Sequence, residues 1–179
     1  MPKIANRQIA LKPQDLYVVL ALLSRAEPPA SLYPELAALT GLAVSAVHAS
    51  LKRAAASRLV LFQERKPVVL KAALLEFLVH GARYAFPPVQ GGVSRGVPTA
   101  YAAAPLNELI APSADPPPVW PHAKGTARGL ALAPLYPSVP DAALKDARLY
   151  AALALLDALR MGQAREREAA QKLLKVQFL

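Results

Sequence analysis

The residues of this chain whose types and spacing could do chemistry are mostly basic. Lys52, Arg53, Arg58, Arg65, Lys66 and Lys71 lie within residues 52–71 against Glu64 alone, a local charge of +5. Over residues 1–83 there are eleven Lys/Arg against five Asp/Glu, and the whole chain carries a formal charge of +9. Such a surplus suits a polyanion, because each neutralised phosphate releases a condensed counterion. Signatures of covalent or metal chemistry are missing. His48, His80 and His122 have no partner at metal-ligand spacing, and there is no cysteine. No G-x-S-x-G or H-E-x-x-H occurs. Asp141, Asp146 and Asp157 fall at helix starts or on a polar face. The glycine-rich run Gln90 to Gly96 lacks the Lys-Ser/Thr of a phosphate loop and the spacing of a dinucleotide fingerprint. No enzymatic activity, cofactor or metal is therefore expected.

The element that must position the basic residues is Ser31 to Phe62, SLYPELAALTGLAVSAVHASLKRAAASRLVLF. It predicts a short helix, a tight turn at Thr40-Gly41-Leu42, a second helix and a strand. Leu36 and Leu39 share a face of the first helix, and Val47 and Leu51 lie four apart on the second. Leu42 plugs the corner. Ser31 can cap the first helix, with Pro34 in its first turn, and Gly41 supplies the left-handed residue past its end. With Val47 and Leu51 inward, the second helix (about 44–57) turns Ser45, Ala46, His48, Ala49, Lys52 and Arg53 outward. Small residues early and long donors later let such a helix enter a major groove. Leu59 to Phe62 and Val68 to Leu70 read as two strands of a wing (about 60–70), with Arg65 and Lys66 at its polar tip for phosphates.

Glu35-Leu36-Ala37, Thr40-Gly41-Leu42, Val47, Leu51 and Leu59-Val60 together closely resemble the winged-helix domains of bacterial transcription regulators of the MarR type. The resemblance covers about residues 12–75. Ala43 stands where that pattern has a capping serine, and Ser57-Arg58 replaces its glycine before the strand. The resemblance implies a DNA-binding winged helix-turn-helix, although winged helices also serve as protein-binding modules.

Around this segment, Pro13-Gln14-Asp15 opens a helix to about Arg25 with Leu16, Val19, Leu20 and Leu23 as its core stripe. The tail Met1 to Leu11 reads as a basic arm along DNA or as a strand against a partner, and Pro28-Pro29 ends a linker. From Lys71 to about Tyr84, Leu74, Leu75, Phe77 and Leu78 cluster on a buried helix. Residues 87–140 hold twelve of the eighteen prolines, which predicts an irregular, extended path. Val97 to Ala103 and Gly129 to Leu132 can supply short strands. Trp120, inside Pro116 to Pro121, either anchors that run on its own domain or marks a polyproline ligand, the first being favoured. Finally, Leu149, Leu153, Leu155, Leu156 and Leu159 form a broad stripe, Gly162 breaks the helix, and a second helix spans Ala164 to Val176.

The expected fold is mainly α with a small β wing. It comprises an N-terminal winged helix-turn-helix domain (1–86), a proline-rich irregular middle segment (87–140) and a C-terminal helical hairpin (141–179). With no apolar run long enough for a bilayer and no secretory signal, the expected location is cytoplasmic. The expected function is a sequence-specific DNA-binding transcriptional regulator acting on double-stranded DNA. It would form a homodimer through the terminal helices, for which packing onto residues 71–84 is the alternative. A second reading makes the latter half grip another protein, a layout similar to that of abortive-infection antitoxin regulators. A third confines the winged helix to protein–protein contacts.

Overall fold

Every residue from Asp15 to Ser24 is buried, so the first helix, α1 (Pro13–Ser24), forms the axis of the molecule. Its sequence is apolar all round, and a helix of that kind must be enclosed on every side. Here α2 (Leu32–Thr40) and α3 (Val44–Ala56) cover it on one side, and α7 (Ala147–Met161) covers it on another. The computed structural model describes residues 8–25, 31–111 and 115–178. Residues 1–7 of the expected tail Met1 to Leu11 and the linker prolines Pro28-Pro29 lie outside the described residues.

The chain turns through 102° between α2 and α3, at Gly41 with φ 71°. A hairpin follows, with β1 (Val60–Gln63) antiparallel to β2 (Lys66–Val69). Its two turn residues, Glu64 (φ 48°) and Arg65 (φ 68°), are both left-handed, as the tightest hairpins require. Arg58 is left-handed as well, at φ 58°. Glycine adopts this conformation at lower cost than a residue with a side chain. Arg58→Gly is therefore expected to raise stability by about 0.5–1 kcal/mol. A melting curve that rises by about 2–3 °C bears this out.

After the hairpin come α4 (Lys71–Glu76), a π turn (Phe77–Gly81) and α5 (Ala82–Ala85), which together form the expected buried helix. Leu74 and Leu78 are fully enclosed, while Leu75 and Phe77 are half-buried.

The proline-rich segment departs from the expected irregular path. The glycine-rich run is not a loop but most of a nine-residue strand, β3 (Gln90–Pro98). It pairs antiparallel with β4 (Pro118–Pro121) at one end and with β5 (Ala127–Leu132) along the rest. The ends of β4 and β5 pair in parallel, so each strand meets both others and the sheet closes on itself. Prolines are tolerated because Pro98, Pro118 and Pro121 sit at strand ends. Closure this tight needs glycine: a Cβ on Gly129 would stand 1.8 Å from the Pro117 carbonyl oxygen. One on Gly96 would stand 2.1 Å from that of Trp120. The strand expected over Val97 to Ala103 accordingly starts earlier and stops at Pro98, and Ala100–Ala102 forms a 3-10 turn.

The short helix α6 (Val139–Ala143) and then α7 and α8 (Ala164–Phe178) complete the chain. Asp146 caps α7, its side chain accepting from the Leu149 N–H at 2.8 Å, and Gly162 ends it. The expected stripe Leu149, Leu153, Leu155, Leu156 and Leu159 is at most 2% exposed, packed within one chain. A dimer built on that stripe would require opening the core. One contiguous apolar core runs from Leu16 to Leu174 through Val97, Leu106 and Trp120, and so draws on all three expected segments.

Asp157 joins these parts. The sequence placed it on a polar face; in the structure it is 2% exposed and accepts from three side chains. Thr99 Oγ1 (2.8 Å) and Trp120 Nε1 (2.7 Å) donate to one carboxylate oxygen, and Arg160 Nη1 (2.8 Å) donates to the other. Arg160 in turn donates from Nε to the Phe86 carbonyl at 2.7 Å. Burial pushes the Asp157 carboxyl up from its ordinary range, against the pull of Arg160, Thr99 and Trp120. Trp120 is thus anchored on its own domain, the favoured of the two expectations.

The molecule is mainly helical with a smaller β component. Among the described residues no single helix is long and apolar enough to cross a membrane.

Candidate nucleic-acid interface

Helix α3 has one face that belongs to the core. Val47, Leu51 and Ala54 are completely buried there, and Ser50 beside them accepts from Gln14 Nε2 at 2.9 Å. Because these positions recur every three or four residues, the opposite face is fixed. It presents Ser45, His48 and Lys52 as exposed residues and Ala46 and Ala49 as half-buried ones. No side-chain bond caps the start of α3, where Ala43 stands.

The hairpin brings the second part of the site. Arg65 at its tip and Lys66 at the start of β2 are both exposed. Arg65 meets the α3 face across a groove of about 540 Å3 lined by Tyr33, His48, Lys52, Ala55, Phe62 and Arg65. Three of the expected basic groups (His48, Lys52 and Arg65) therefore converge on one concave surface, although Arg65 is thirteen residues further along the chain than Lys52. Lys66 does not line the groove.

Arg53 requires a correction. It was expected to face phosphates, but its guanidinium folds back onto α1. Nε and Nη2 donate to the two carboxylate oxygens of Asp15 at 2.9 and 2.7 Å. Asp15 is completely buried, and a carboxylate taken out of water requires a paired cation. Its oxygens also accept the Lys12 N–H at 2.9 Å, closing the start of α1. Asp15 in turn holds Arg53 more firmly in its charged form. Arg53 thus orients α3 on α1, with its Nε and Nη2 committed to that contact. The signal lay in the sequence, in a lone acid opening a helix that is otherwise apolar all round.

Three residues of the groove were missed: Tyr33, Ala55 and Phe62. Tyr33, in the first turn of α2, lies 5.5 Å from His48 between ring centroids, the planes tilted by 51°. Phe62, expected only as a strand residue, forms the groove wall under the hairpin. A tyrosine against the one histidine of α3 limits where that imidazole can point.

Behind the groove, the corner between α2 and α3 is held from two sides. The Thr40 carbonyl accepts from Ser138 Oγ at 2.5 Å and from the Tyr17 hydroxyl at 3.2 Å. Tyr17 also stacks on Tyr136, with centroids 5.9 Å apart. Burial is the main cause that pushes the Tyr17 hydroxyl up to about 12, so it stays a neutral donor at ordinary pH. The proline-rich half of the chain therefore buttresses the turn that sets the angle of α3.

No family model, curated protein or solved structure matches the chain.

Proposed function

We propose that α2, α3 and the β1–β2 hairpin form a winged helix-turn-helix, and that the protein is a sequence-specific DNA-binding transcriptional regulator. In this reading α3 enters the major groove of double-stranded DNA, with Ser45, Ala46, His48 and Ala49 toward base edges. Lys52 takes a phosphate from α3, while Arg65 and Lys66 do so from the hairpin. Arg53 is left out of the contact set.

One observation carries the reading. His48 and Lys52 from α3 and Arg65 from the hairpin tip open onto the same groove. A second supports it: Arg65 occupies a left-handed turn position that glycine or asparagine fills at lower cost. Strain kept at a charged, exposed residue is what a contact site accounts for. A protein-binding role for the hairpin has its own support, since Leu61 and Val68 face each other across it and are 47% and 40% exposed.

Selection from a pool of random duplexes, followed by mobility shift at moderate salt, tests the proposal. Enrichment of a defined site is expected. His48→Ala should then change preference at one base pair by about 1–3 kcal/mol while leaving the others alone. If the chain acts as a dimer, two half-sites should appear about 34 Å apart, and if as a monomer, one. A pool that stays random would defeat sequence-specific binding and turn attention to Leu61 and Val68.

A further inference from the structure

A second cavity, of about 360 Å3, shares no lining residue with the groove on α3 and lies between the three-stranded sheet, the 3-10 turn at Ala100–Ala102 and the start of α8. Its character is opposite to that of the rest of the molecule. The chain as a whole carries +9, yet among the described residues those lining this cavity include no lysine, arginine or histidine. They do include two carboxylates, Asp115 and Glu166.

The lining includes Gln90 and Gln163 beside apolar and aromatic groups, among them Leu130, Met161 and the half-buried ring of Tyr101. Glu166 is held in place rather than free to swing, because one of its oxygens accepts the Gln163 N–H at 3.0 Å where α8 begins. Tyr101 registers the local field: after burial, the charges of Glu166 and then Asp115 push its hydroxyl up. Both acids therefore lie within electrostatic reach of the Tyr101 hydroxyl. Volume, apolar walls and a few convergent polar groups are the general features of a small-molecule site.

We propose that this cavity binds a small organic cation with an apolar body, such as an aryl or alkyl ammonium compound. The positive group would sit between Glu166 and Asp115 and over the ring of Tyr101, where the negative face of the ring favours it. The apolar part would lie against Leu130 and Met161. This site is independent of the DNA-binding reading and stands or falls without it.

Calorimetric titration of the full chain with benzyltrimethylammonium, benzyl alcohol and benzoate tests the proposal. The three share an aromatic body and differ in charge. The cation is expected to bind about tenfold or more tighter than either of the others. Glu166→Gln keeps an acceptor for the Gln163 N–H, so the start of α8 survives, and should weaken the cation about fivefold or more. Leu130→Arg places a positive charge at the half-exposed rim without touching the core and should abolish binding. Equal affinity for benzyl alcohol overturns the proposal. So does an unchanged affinity in Glu166→Gln, or no binding of the cation by about 10 mM.

Discussion

Asp157→Ala is expected to lower the melting temperature by about 6–20 °C, the largest effect of any single substitution considered. The change removes one partner from a buried pair and leaves the Arg160 guanidinium, whose side chain is 5% exposed, without its counter-charge. Breaking a buried pair from one side costs about 3–5 kcal/mol, and in a chain of this size each kcal/mol shifts the midpoint by about 2–4 °C. It also strips an acceptor from the buried Thr99 hydroxyl and Trp120 indole, which join β3 and β4 to α7. Removing both charges, as in Asp157→Ala with Arg160→Met, should cost less than the sum of the single changes, and a double-mutant cycle reads that difference. The exposed pair Lys172–Glu168 provides the contrast: Glu168→Gln should leave the melt unchanged. Additive losses in the cycle would mean that Asp157 and Arg160 act separately.

The second large effect is on DNA affinity. Lys52→Ala and Arg65→Ala should each weaken binding about tenfold at fixed salt and lower the slope of log affinity against log salt by about 0.9. Together they should lower the slope by about 1.8, since the two lie on different elements and meet different phosphates. Arg53→Lys should leave the slope as it is, its guanidinium being engaged with Asp15. Arg65→Gly offers a further separation. It relieves a left-handed backbone and should raise stability while DNA affinity falls, the two readouts moving in opposite directions. If both improved or both worsened, the strain at Arg65 would be unconnected with binding.

Which parts of the structure were legible in the sequence follows from the range of the interactions that hold them. Helices α1 to α3 and the hairpin came out close to expectation, because local periodicity and turn residues determine them: Val47 and Leu51 four apart, Gly41 after α2, two short apolar runs around a polar turn. The orientation of α3 followed from the same spacing. Arg53 did not, because its partner Asp15 lies 38 residues earlier and only burial makes that carboxylate demand a cation. Asp157 was misplaced for the same reason, its donors Trp120 and Thr99 being 37 and 58 residues away. The β3–β5 sheet was hidden by composition. Prolines and glycines that ordinarily mark loops here sit at strand ends or where backbones touch, so a strand appeared as a glycine-rich loop. The α7 stripe was recognised as apolar, but periodicity does not say whether such a stripe meets its own core or a second chain.

On the proposed function, α3 and the hairpin form the surface that meets DNA. Amide chemical-shift mapping of the full chain, titrated with the duplex enriched by selection, tests it most directly. Perturbations are expected to concentrate at residues 44–53 and 63–66, with α8 and the β3–β5 sheet silent. Perturbations concentrated on α8 or on that sheet, with residues 44–53 unmoved, would contradict it.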